Sequence, residues 1–188
     1  LSVTERMFQE IFEKTIGYKL ALPLPRMTYQ EAMDRYGSDK PDTRFGMELI
    51  DLTEIVRTTP FKIFKEVAEK GGQVKALLVQ GSSLTPGELD GLKEVVARFG
   101  AKGLAWIRFK PEGPDSPIVK HLGDPAVKSI TERLQAKPGD IALFVADTPS
   151  VVAESLGRLR LHMGEKLGLI KEGVFNFLWV VDFPMFAY

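Results

Sequence analysis

The chain of 188 residues has no cysteine, only two histidines and no net charge. Without a thiol there is no disulfide, no cysteine nucleophile and no thiolate metal site, a composition that fits a reducing, cytoplasmic setting. His121 and His162 are solitary, and no HExxH is present, so each reads as a surface or packed histidine rather than a ligand. GxSxG, GxxxxGKS and GxGxxG are also missing, which removes the usual nucleophile elbow and phosphate-cradling loops. Lys and Arg together number 25, as do Asp and Glu, so bulk charge points to neither a nucleic acid nor a membrane. Any RNA contact must come from a local patch. No apolar run approaches the roughly 20 residues that cross a bilayer, and the start lacks the charged-then-apolar build of a signal peptide. The first residue is Leu rather than Met, as expected of a piece of something larger.

What is present is enough apolar sequence for a core, 44% of residues, punctuated by clear boundary signals. Ser2-Val3-Thr4-Glu5 has the form of a capping box. Met7, Phe8, Ile11, Phe12 and Ile16 follow at helical spacing, and Gly17 closes the run. Pro23 and Pro25 enforce an extended link. Thr28-Tyr29-Gln30-Glu31 then opens a second short helix ending at Gly37. These two helices have no sheet to receive them. Further on, Asp51 is placed to cap a helical turn reaching Arg57, Phe61 to Val67 reads as a strand, Gly71-Gly72 as a turn, and Val74 to Val79 as the returning strand. Thr85-Pro86-Gly87-Glu88 is the strongest helix start in the chain and carries Leu89, Leu92, Val95, Val96 and Phe99 on one face. Residues 103–109 read as a third strand, residues 111–117 as a proline-rich loop, and Asp124-Pro125 starts a smaller helix. Ile141 to Ala146 reads as a fourth strand. Thr148-Pro149 starts the longest helix, in which Gly157 implies close packing on the sheet. Phe175 to Val181 reads as a last apolar strand. The predicted fold is α+β: a two-layer module with a four-stranded, mainly antiparallel sheet in a ββαββα order, helices on one face, and flanking helices and a strand outside it.

Two stretches exceed these fold signals. One is Tyr36-Gly37-Ser38-Asp39-Lys40-Pro41-Asp42-Thr43-Arg44-Phe45, where the chain passes from helices into the strand-rich module; its plain reading is a solvated loop with self-cancelling charges. The other is Leu178 to Phe186. Arg158, Arg160, His162 and Lys166 cannot all share one helical face, so a solvated face is the plain reading and an RNA-facing patch the alternative. By their residues alone, these features describe a binding or architectural module.

The decapeptide resembles, almost letter for letter, the segment after motif 2 of bacterial-type aspartyl-tRNA synthetases, at the entrance to their inserted domain. The resemblance extends to residues 25–45, 100–105, 116–120 and 144–147, to Leu156-Gly157-Arg158-Leu159-Arg160, and to residues 178–186. It implies a class II catalytic-domain segment and hinge at 1–45, an inserted domain at 46–174, and a return strand at 175–188. It implies a homodimeric, cytoplasmic parent that activates aspartate with ATP and Mg²⁺ and passes the aspartyl group to tRNA, binding neither membrane nor DNA. The insert is shared with the B subunit of the tRNA-dependent amidotransferase, so a tRNA-binding module without ligase activity is the alternative.

Motif 1, the aspartate loop, and the motif 2 and motif 3 arginines have no counterpart here, so the resemblance assigns no catalytic residue, cofactor or metal site to this chain. The family's Glu is replaced by Ala187. Arg158 and Arg160 are the candidate tRNA contacts, and Ser38, Asp39, Lys40, Pro41, Asp42 and Arg44 the hinge. An inserted domain leaves and returns at neighbouring points, so residues 38–45 and 173–178 should lie side by side, within about 20 Å. Lys40 and Arg44 are expected to pair with carboxylates, and Phe45 to bury its ring at the seam.

Overall fold

A computed structural model describes residues 1–186. The sheet owes its character to two seven-residue strands, β3 (Gln73–Val79) and β6 (Ile141–Asp147), which are apolar at nearly every position instead of every second one. A strand of that kind must be covered on both faces. Val74, Ala76 and Leu78 with Ala142 and Phe144 point one way; Leu77 and Val79 with Ile141, Leu143 and Val145 point the other.

Two elements cover the second set: α5 (Pro86–Ala97), through Leu89, Leu92 and Val96, and α8 (Pro149–Lys166), through Val152, Leu156, Leu159 and Met163. The first set is covered by α3 (Thr53–Val56), α4 (Lys62–Glu69), α6 (Val119–Leu122) and α7 (Asp124–Leu134), with Val56, Phe64, Leu122 and Ile130 fully or almost fully buried. The fold is α+β, as expected. Helices lie on both faces, however, so the two-layer expectation is corrected to three layers.

The sheet has five strands in the order β2-β3-β6-β4-β5, all neighbours antiparallel, with β2 at Leu49–Asp51, β4 at Ala105–Lys110 and β5 at Gly113–Asp115. The four-stranded ββαββα order does not occur, because the segment read as a strand from Phe61 is helix α4. Phe61, Phe64, Val67 and Ala68 fall three to four apart and share the face turned to the sheet, while Ile63 is left outside. Gly71, at φ 81°, therefore turns a helix into β3 instead of closing a hairpin. The proline-rich loop contains β5. The helix between β4 and β6 was expected in that position, and the shorter α6 precedes it.

The first residues form α1 (Ser2–Ile16), β1 (Arg26–Thr28) and α2 (Tyr29–Tyr36). The helices are not without a strand: β1 pairs in parallel with β7 (Trp179–Val181). The box at Ser2 does not form. Glu5 is buried, and its carboxylate accepts the Trp179 indole N–H at 2.8 Å. Residues 175–178 are not strand. Phe175 and Phe177 stack edgewise on Phe12 at 5.5 and 4.8 Å. The signals at Thr28, Thr85, Gly17 and Gly37 behave as read: Thr28 accepts from the Glu31 N–H, Thr85 and Glu88 complete a capping box, and both glycines end their helices in the left-handed conformation.

Candidate functional site

The crossing from α2 into the sheet is built on a contact between two glycines. A Cβ on Gly157 of α8 would lie 2.7 Å from the Gly37 carbonyl oxygen and 3.0 Å from that of Tyr36. Gly157 thus packs on the end of α2, not on the sheet as expected. Gly37 itself sits at φ 67° against the Ala153 carbonyl. No side chain fits at either position, so the end of α2 lies flush on α8.

Beyond Gly37 the linker folds on itself. Ser38 Oγ accepts the Lys40 N–H at 3.1 Å, and Asp42 Oδ1 accepts the Arg44 N–H at 3.0 Å. The Arg44 guanidinium closes onto the same carboxylate, with Nη2 2.7 Å from Oδ2. Hydrogen bonding from Arg44 holds the Asp42 carboxyl below its usual range, against the opposing effect of burial. Of the two expected pairings, Arg44 forms one; Lys40 is exposed and makes no ion pair among the described residues. Phe45 is buried as expected, seated over Gly164, where a Cβ would come within 2.6 Å of the ring.

What ties this linker down is Arg160, only 1% exposed. Its Nε donates to the Met47 carbonyl at 3.0 Å, and Nη2 faces the carbonyls of Asp42, Phe45 and Gly46 at 2.8, 2.8 and 2.9 Å. The guanidinium carbon also lies 4.0 Å from the Phe45 ring centroid and 4.9 Å from that of Tyr36. Burial lowers its pKa from the ordinary arginine value, opposed by Tyr36, Asp42 and Glu48. The two tRNA candidates therefore occupy opposite environments. Arg160 faces inward, spent on the linker, while Arg158 is exposed with its guanidinium 5.4 Å from the Phe99 ring.

Two polar contacts unread in the sequence complete the joint. Arg35 donates a forked pair to Glu48 at 2.7 and 2.8 Å and also bonds Glu31; Tyr36 OH donates to Glu48 at 3.0 Å. Arg35 holds the Glu48 carboxyl below its ordinary range. Lys75, 3% exposed at its side chain and the one charge in the apolar run of β3, donates to the Asp34 carboxylate at 2.9 Å and the Asp34 carbonyl at 3.2 Å. That lone lysine was the available signal. The two stretches expected to be neighbours do meet: Asn176 Nδ2 donates to the Thr43 carbonyl at 2.9 Å, so residues 173–178 lie beside the linker.

Among the described residues no three His, Asp or Glu side chains gather as a metal site. The arrangement is a joint, holding α2 and the linker against α8.

Residues 64–156, from within α4 to the middle of α8, match the family described as "GAD domain". This part of the chain is similar to a GAD domain. Over its whole length it is 47% identical to the aspartate–tRNA(Asp/Asn) ligase of Anoxybacillus flavithermus, an alignment of 190 residues taking in 100% of this chain and 32% of the relative. The aspartate–tRNA ligase of Enterococcus faecalis is 48% identical over 187 residues, 98% of this chain and 32% of the relative. The aspartate–tRNA(Asp/Asn) ligase of Aquifex aeolicus is 46% identical over 185 residues, 98% and 31%. The chain thus spans about a third of the length of the curated relatives it matches. Among solved structures, a hypothetical protein from Pyrococcus horikoshii OT3 is similar at a TM-score of 0.37 and 15% identity, over 56% of this chain and 68% of that one. The GAD match leaves out α1, β1, α2, β2, α3 and β7, which the ligase relatives do cover.

Proposed function

We propose that the chain is part of an aspartate–tRNA ligase of the bacterial type, with residues 1–45 and 175–188 belonging to its class II catalytic domain and residues 46–174 forming the inserted domain. The carrying observation is the 47% identity that continues through both flanks of the GAD domain. The amidotransferase-associated reading accounts for the GAD domain alone. It gives no reason for α1, β1 and α2 to meet β7 outside the five-stranded sheet, and the ligase reading is therefore preferred.

In that parent, a cytoplasmic homodimer, aspartate and ATP form an aspartyl-adenylate and the aspartyl group passes to tRNA. ATP and Mg²⁺ would be held by residues this chain does not supply, since the family's motif 2 and motif 3 arginines have no counterpart in it. The position where the relatives' family has Glu, Ala187, lies outside the described residues. The contribution of this chain is positional. Arg160 and the glycine contact fix the GAD domain against the flanks, so that an exposed surface such as that bearing Arg158 meets tRNA in one orientation. Any such affinity will be modest and salt-sensitive, since the net charge is zero.

Aspartate-dependent pyrophosphate exchange tests the reading in two arms. The 188-residue chain should show none, and a chain extended by its natural flanks should show it and charge tRNA with aspartate. Robust exchange by the 188-residue chain, or none by the extended one, would overturn it.

A further inference from the structure

The two flanks are built as one half of a hydrophobic core. Among the described residues, every large apolar side chain left exposed lies in residues 1–16 or 167–186, except Ile63. β7 is apolar at each of its three positions, as β3 and β6 are at nearly all of theirs, and such strands need cover on both faces. β3 and β6 have it: Ala76, Leu77, Ala142 and Leu143 are fully buried. Trp179, Val180 and Val181 of β7 are each only half-buried. Their sheet contains β1 and β7 alone, so each strand has a free edge among the described residues. A pair this short does not support itself.

α1 is bare in the same way. The side turned to β7 is occupied, since Glu5 accepts the Trp179 indole N–H and Phe8 and Phe12 meet Phe177. On the opposite side Val3, Met7 and Ile11 recur four apart, at 76, 50 and 45% exposure. Of the fifteen residues of α1, Glu5 alone is buried. A helix apolar on two sides belongs between two layers, and α1 has one. Beyond β7, Phe183, Met185 and Phe186 are exposed as well.

The relatives point to what covers these surfaces. The alignment at 47% identity takes in α1, β1 and β7 along with the rest, and this chain makes up 32% of that relative. A second copy is a poorer cover. The bare stripe of α1 points away from β7, and a two-fold contact joins one patch to itself, so a single such contact cannot cover both. We propose that further segments of the same polypeptide, outside these 188 residues, add strands to the free edges of the β1–β7 sheet and lay apolar side chains over β7 and the outer stripe of α1. The existence of those segments rests on the ligase reading; the surfaces they occupy are read from α1 and β7.

The chain has no cysteine, so Met7→Cys gives it a single thiol. Maleimide labelling, read at that residue by mass spectrometry, is compared between the 188-residue chain and the chain extended by its natural flanks. Met7→Cys should label fast in the first and at least about tenfold more slowly in the second, at every protein concentration, because labelling then waits on local opening. Amides of residues 26–28 and 179–181 should gain hydrogen-exchange protection in the extended chain. Ser129→Cys, exposed on α7, should label equally in both. Both positions are exposed in the 188-residue chain, and unchanged melting of its variants shows that the fold is intact. Equal labelling of Met7→Cys in the two chains, a slowing shared by Ser129→Cys, or protection lost on dilution, which makes the cover a second copy, overturns the proposal. Pyrophosphate exchange by the same extended chain is read separately. Exchange with Met7→Cys still open refutes the covering alone, and a covered Met7→Cys without exchange refutes the ligase reading alone.

Discussion

Replacing Arg160 by Met keeps most of the side-chain volume and removes every donor from the linker joint. Four carbonyls face the guanidinium, three of them sharing the two hydrogens of Nη2, so their contributions are far from additive. Asp42 and Met47 are half-buried and Gly46 is exposed, so water can replace the lost donor at those carbonyls, while Phe45 is buried. One buried acceptor left unpaired costs about 1–3 kcal/mol. The lost cation–π contacts to Phe45 and Tyr36 add about 1–2 kcal/mol more. A loss of about 3.5 kcal/mol is therefore expected, which for a domain of this size lowers Tm by about 7–14 °C. Calorimetry or circular dichroism measures the global effect. Hydrogen exchange gives the local one, with amides of residues 38–47 losing protection before those of β3 and β6. Arg160→Lys should fall between, because a single ammonium cannot span Met47 and the other carbonyls as a fork does. Arg158→Met, at an exposed position, should stay within about 0.5 kcal/mol of wild type. If Arg160→Met also stayed within that margin, or if exchange rose uniformly, the joint would not rest on this residue.

Gly157→Ala should destabilise by about 1–3 kcal/mol in urea unfolding, since the added methyl meets the Gly37 and Tyr36 carbonyls, which are backbone and cannot swing aside. Trp179→Phe should cost about 1–3 kcal/mol by leaving the buried Glu5 without its indole donor, and a thermal melt reads this directly. Glu88 links α5 to α8: hydrogen bonds from Lys166 and from the Thr85 N–H and hydroxyl bring its carboxyl down to about 2. A depressed carboxylate stabilises the fold above its unfolded pKa of about 4.3 and loses that contribution as pH falls towards 2. The Tm difference between wild type and Glu88→Gln should accordingly be full at pH 7 and close as pH drops from about 4.5 to 2; a difference independent of pH would contradict the assignment.

The parts legible in the sequence are those decided within a few residues. Thr85 and Glu88 cap their own helix, Gly17 and Gly37 turn left-handed wherever their helices end, and β3 and β6 carry their apolar runs on their face. The same runs also held the information that was missed: side chains apolar on both sides of a strand require helices on both sides of the sheet. Phe61-Lys62-Ile63-Phe64 satisfies strand alternation for three residues and helical spacing over seven, and the longer pattern prevails. The three-residue strands β1, β2 and β5 exist only because a partner lies beside them, which no local signal encodes. Arg160 was hidden for a related reason. Its acceptors are backbone carbonyls 113 to 118 residues earlier, and carbonyls have no letter in a sequence.

The stretch that reads as a hinge behaves physically as a strut. A hinge concentrates large changes of φ and ψ in residues whose backbone groups are free to exchange partners. Here the carbonyls of Asp42, Phe45, Gly46 and Met47 converge on one buried cation, Phe45 is seated over Gly164, and Gly37 has no room to shift against α8. Rotation of the GAD domain about this segment would have to break those contacts together, at a cost near that of Arg160→Met. The neighbouring crossing adds Asn176 on Thr43, so a torque on one crossing is resisted by the other. Two adjacent crossings, one of them clamped, transmit orientation where a single flexible tether would not. In the proposed ligase, loosening the strut should therefore impair tRNA charging more than adenylate formation, because only the tRNA-dependent step needs the GAD domain in register. Measuring pyrophosphate exchange and aminoacylation side by side on the extended chain carrying Arg160→Lys separates the two, and an equal loss in both would show that the strut supports the catalytic domain itself.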